Sequence, residues 1–117
     1  MYKAILCFLC TAAVSAAFAA DSSRLVLLRT ARSVTAEAAA TIDLEQRGQL
    51  SQAFVRGELD DASDELRSLA DEALKSQPDL ARSIDQAARA LAAKNAAMLR
   101  AIATRLHTLE QGDVTAP

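Results

Sequence analysis

Residues 78–110 read PDLARSIDQAARALAAKNAAMLRAIATRLHTLE, and this stretch decides the fold class. Leu80, Ile84, Ala87, Ala88, Leu91, Met98, Ile102, Leu106 and Leu109 recur at spacings of one apolar helix face. Arg82, Arg89, Arg100 and His107 lie opposite. The stretch has no glycine, and its one proline opens it, where a first helical turn tolerates the missing N–H. Ser76 as N-cap with Asp79 three residues later makes a capping box with Asp in the Glu position. Gly112 is the stop, and residues 111–117 read as a tail. The spacing predicts one helix over about 78–110, roughly 50 Å long.

The segments before it repeat the pattern at shorter length. Leu59, Ala62, Leu66, Leu69 and Ala73 define a face over about 58–75, flanked by Ala70 and Leu74. Between Gly48 and Gly57, a short helical piece (49–56) carries Leu50, Ala53 and Phe54 on one side. That side is out of phase with the next, so a break near Gly57 is expected. Further upstream, Asp21, Ser22 and Ser23 offer N-caps, and Gly48 is a natural C-terminal cap after Arg47. The first helix therefore spans about 23–47, with Leu27, Leu28, Ala31, Val34, Ala38 and Ile42 turned inward. The expected fold is all-α: an antiparallel three-helix bundle with a long C-terminal helix.

The N-terminus reads as an export signal. Lys3 gives a short basic region, an apolar run extends from Ala4, and Ala17-Phe18-Ala19 supplies a small-x-small cleavage site. The division is then a cleavable signal peptide, 1–19, and one helical domain, 20–117. Cleavage after Ala19 makes the product periplasmic or secreted. If the leader is kept, the run from Ala4 to Ala20 is a membrane anchor near the lower length limit for a spanning helix, and the rest is a tethered coiled coil. Cys7 and Cys10 sit inside the apolar run with no polar neighbour to activate a thiol, so they read as apolar filler.

Composition narrows the rest. Loss of Lys3 with the leader leaves 12 basic residues (13 less one) against 15 acidic ones. That balance and the export signal argue against a nucleic-acid partner. Phe54 becomes the only aromatic residue, so the core must be Leu, Ile, Val and Ala.

Seven acids lie in Glu58–Glu72: Glu58, Asp60, Asp61, Asp64, Glu65, Asp71 and Glu72. They lack the alternation and the glycine of a Ca²⁺ loop. They read instead as a solvated face offset by Arg82, Arg89, Lys94, Arg100 and Arg105 of the long helix. His107 has no second His or Cys for a metal site and reads as a surface residue. No nucleophile–base pair or phosphate loop is visible, so no enzyme, cofactor or metal is expected.

Two features bear on function. Asn95 lies within the apolar face of the long helix, where a polar residue fixes register or oligomeric state, bonded to Thr35, Thr41, a neighbouring backbone or a second copy; the other readings are a kink or an exposed site. The long helix also outruns its neighbour. Met98, Ile102, Leu106 and Leu109 then form a surplus stripe for a partner. The expected function is protein–protein contact, with another protein or as a homodimer, as an accessory, chaperone-like or inhibitor-type factor of the cell envelope or secretion machinery. Binding to a membrane surface through the amphipathic helices is the alternative.

Overall fold

The computed structural model describes the chain from Ala16 to Thr115, with side chains from Ser23 to Gly112. The leader therefore lies outside the described residues except for its last few backbone positions, and Cys7 and Cys10 lie outside with it. Four helices fill the described span: α1 (Ala16–Gln46), α2 (Gln52–Leu74), α3 (Pro78–Ala92) and α4 (Ala96–Thr115). No strand occurs among the described residues. The class is all-α, as expected, but the helix count is four rather than three.

Polar contacts fix the directions. Asp43, late in α1, meets Arg100, early in α4, at 2.5 Å. Arg29 and Arg32, a few turns back in α1, meet Glu110, late in α4, at 3.0 and 2.8 Å. These two helices are antiparallel. Arg24 donates to Gln77 at 2.6 Å, which places the α2–α3 turn beside the first half of α1. Lys94 Nζ lies 3.2 Å from Glu45, which places the α3–α4 turn beside the end of α1. The chain thus runs up, down, up and down. The seams α1–α4 and α2–α3 are the most extensive, α1–α2 is smaller, and α3–α4 is the smallest between sequence neighbours. The result is an elongated body of 47 × 28 × 22 Å.

The core is one cluster of small and medium side chains. Leu28, Ile42, Val55, Leu66, Ile84, Leu99 and Leu106 are fully buried. Every predicted inward residue of α1 is buried: Leu27, Leu28, Ala31, Val34, Ala38 and Ile42. Alanines at 31, 38, 87 and 90 let the backbones approach.

The turns explain the departures from expectation. Helix α1 ends as predicted at Gly48, which has φ 74°. There the Gly48 N–H donates to Glu45 O and the Gln49 N–H to Leu44 O, both at 2.9 Å, a Schellman closure. The start of α1 is earlier than expected. Ser22 and Ser23 lie inside the helix, because the alanine-rich residues before them are strong helix formers.

Helix α2 begins at Ser51, whose side chain accepts the Phe54 N–H at 3.2 Å. It runs through Gly57 without a break. The inward residue here is Val55, not Phe54, and Val55, Leu59, Leu66 and Ala73 keep one phase throughout. Pro78 occupies the first turn of α3, as predicted. The cap, however, is Gln77, whose side chain makes no capping bond, rather than Ser76. Asp79 pairs with Arg82 instead of closing a capping box.

The predicted 78–110 helix is broken at Ala93–Asn95. Lys94 has φ 51° and is the only non-glycine residue at positive φ among the described residues. Its N–H donates to Leu91 O and that of Asn95 to Ala90 O, both at 2.9 Å. This is the Schellman pattern again, with lysine where glycine is usual. Asn95 then caps α4: its Oδ1 accepts the Met98 N–H at 3.0 Å and its carbonyl accepts the Leu99 N–H. Helix α4 continues through Gly112 to Thr115, so the expected tail is largely helical.

Candidate interaction surface

The break at Lys94 decides what α4 shows to solvent. In an unbroken helix, Leu91 is followed inward by Met98. In the folded hairpin, the inward side of α4 is Leu99, Ile102 and Leu106, all buried. The four residues expected to form one projecting stripe therefore divide. Ile102 and Leu106 are core residues and are not available to a partner in this fold, because α4 turns back along α1 instead of projecting. Met98 and Leu109 are 49% and 38% exposed.

These two stay on one side of α4. Eleven residues at 100° each return to within about 20° of the starting direction. Arg105 lies between them and is exposed, with no ion pair among the described residues. Arg100 and Glu110, by contrast, turn toward α1 through their ion pairs. The outer flank of α4 is thus a narrow strip of Met98, Arg105 and Leu109. Val26 of α1 and Phe54 and Leu74, near opposite ends of α2, are the other exposed large apolar side chains among the described residues.

Asn95 is not a register-setting core residue. It is exposed, and its side chain is used as a helix cap. Of the suggested partners, only the neighbouring backbone meets it, through the Met98 N–H, and neither threonine does. The Thr35 hydroxyl donates to Ala31 O at 2.6 Å, and the Thr41 hydroxyl to Glu37 O at 2.8 Å.

Charge is arranged unevenly around α1. Toward α4, Glu110 is buried, and its carboxylate takes one hydrogen bond from each of Arg29 and Arg32. Burial pushes this carboxyl up, but the two guanidinium hydrogen bonds and charges outweigh it and hold it below the usual carboxylate range. Toward α2, Glu37, Glu58, Asp61 and Glu65 line a small cleft of about 40 Å³. Burial, then repulsion from Glu37, pushes the Glu65 carboxyl up.

The basic residues expected to offset the acidic helix make no ion pair with it among the described residues. Arg82 and Arg89 pair within α3, and Lys94 and Arg100 reach α1. Among the described residues, no group of three or more His, Cys, Asp or Glu side chains could hold a metal ion. His107 is exposed, with a ring nitrogen 3.2 Å from the Gln111 amide.

An open groove of about 430 Å³ lies between α2 and the α3–α4 turn, with Arg56, Asp60, Arg67 and Lys94 around Leu59 and Leu91. It is unenclosed and of mixed charge, unlike the apolar, mostly enclosed pockets that hold small ligands. No helix among the described residues is long and apolar enough to cross a membrane. No protein family, curated protein or solved structure matches the chain.

Proposed function

We propose that this is an exported helical bundle that acts by protein–protein contact, as an accessory, chaperone-like or inhibitor-type factor. The observation that carries the reading is the exposure of Met98 and Leu109 on one flank of α4, with Arg105, which makes no ion pair among the described residues, between them. Methionine and arginine are enriched in protein interfaces, and exposed Met adapts to a partner's shape. A strip this narrow suits docking along one helix of a partner.

Export is part of the proposal and is compatible with the bundle. Among the described residues the first buried side chain is Leu27, eight residues after the proposed cut at Ala19. Mass spectrometry of the mature N-terminus tests it: a chain beginning at Ala20 is expected, and an intact Met1 overturns it.

Contact is tested by Met98→Asp with Leu109→Asp. Both sites are exposed, so stability is expected to change by no more than about 0.5 kcal/mol per site. Photo-cross-links placed at Arg105 in the native envelope should capture a defined partner, and the double variant should abolish capture. Equal capture by the variant removes the α4 flank from the reading. Co-sedimentation with anionic liposomes, accompanied by a rise in helicity, favours a lipid surface as the target instead.

A further inference from the structure

The α3–α4 turn is a device that holds one helix folded in two. Its three residues, Ala93–Asn95, lie among Ala92, Ala96 and Ala97, in a sequence without Gly or Pro. Alanine is the strongest helix former, and a left-handed lysine is conformationally unfavourable. Three local features oppose straightening: the closure of α3 on Lys94, the Asn95 cap on α4 and the exposed Lys94–Glu45 pair. Short hinge loops under backbone strain invite exchange of the element beyond them.

What α4 touches makes exchange feasible. Its most extensive seam is with α1, and that with α3 is much smaller. Leu99, Ile102 and Leu106 pack into the core, and Arg100 and Glu110 close on Asp43, Arg29 and Arg32 of α1. Each of these contacts can be made equally well to α1 of a second copy. Straightened, Pro78–Thr115 is one helix about 57 Å long, enough to carry α4 onto a neighbour.

We infer that the partner of α1 can be α4 of a second copy of this chain, forming a two-fold dimer by exchange of residues 96–115 about the Lys94–Asn95 hinge. This does not depend on the Met98–Leu109 strip, which stays outside the exchanged seam.

Two neighbouring substitutions drive the equilibrium in opposite directions. Asn95→Ala removes the cap and adds helix propensity, and is expected to favour the dimer about 10-fold per hinge, or 100-fold per dimer. Lys94→Gly eases the left-handed turn and weakens a straight helix, and is expected to disfavour the dimer by a similar factor. Sedimentation of each at 10 µM to 1 mM reads this out (a working range of order-of-magnitude choice). Failure of Asn95→Ala to dimerise at the top concentration overturns the inference.

Charge exchange separates a swapped dimer from a side-by-side one. Glu110→Arg in one chain, and Arg29→Glu with Arg32→Glu in another, each breaks its own α1–α4 seam. In the swapped heterodimer both seams are matched again. In the Asn95→Ala background, a refolded 1:1 mixture is therefore expected to sediment as a heterodimer that melts above either component. A mixture that melts as the average of the two, or a dimer without restored stability, overturns the exchange.

Discussion

Lys94 occupies a conformation that glycine adopts at Gly48, and the two positions have opposite consequences for substitution. Gly48 has φ 74° with open space around it, so only its backbone matters. Gly48→Ala is expected to lower stability by about 1 kcal/mol, and Lys94→Gly to raise it by up to about 1 kcal/mol, less the weak Lys94–Glu45 pair. Gly57 differs from both. It lies inside α2, and nothing stands within 4 Å of an added Cβ. Gly57→Ala should gain about 0.5–1 kcal/mol. Urea midpoints at constant m-value measure all three. Legibility in the sequence followed the same division. Gly48 announced its turn, whereas Lys94 did not, because nothing in the side chain of lysine favours positive φ. Gly57 suggested a break that the inward phase of Val55 made unnecessary.

At the scale of the helix, the two seams of α1 respond oppositely to acid. Glu110 is held below the ordinary range, so its contribution is present above the unfolded glutamate value and is lost as pH falls through the folded one. Glu65 is held above the ordinary range, so its seam is best at low pH and weakens as pH rises through the folded value. Glu110→Gln is expected to lower Tm at pH 7 and to converge on the wild type well below pH 4.5, the ordinary glutamate value. Glu65→Gln is expected to raise Tm at pH 7 and to converge likewise in acid. Parallel curves for the two variants contradict the assignment. Helix α4 makes a second prediction. Ile102→Ala and Leu106→Ala should each cost about 2–5 kcal/mol, as core truncations do, whereas Met98→Ala should cost less than about 0.5. The stripe itself was legible, since seven of its nine members are buried or half-buried. Which residues of its second half turn inward was not, because that depends on a break that resets the phase and brings Leu99 into the core.

For the molecule as a whole, α1 organises the bundle, and among the described residues its buried side begins at Leu27. A chain beginning at Ala20 is expected to match the Tm of one beginning at Ala16 to within about 2 °C, because it retains every described core residue. A chain beginning at Arg29 loses Leu27 and the fully buried Leu28, and thermal unfolding by circular dichroism should show its cooperative transition lost or lowered by tens of degrees. The all-helical class could be read from alanine, leucine and the scarcity of breakers. The number of helices could not, because a three-residue turn built from Ala, Lys and Asn looks like helix until tertiary contacts with Asp43 and Glu45 select the folded-back form. The candidate surface was half legible for the same reason.

The clamp on Glu110 joins residues 81 positions apart in the chain. Synthesis proceeds from the amino end, so Arg29 emerges long before the carboxylate that it holds. The largest seam of the bundle therefore cannot form until α4 has been made. Contacts of such wide separation also form slowly. Under the proposed export as an extended thread, late closure is an advantage. The segment that completes the fold follows the rest of the bundle, so under that proposal the chain stays threadable until α4 has emerged.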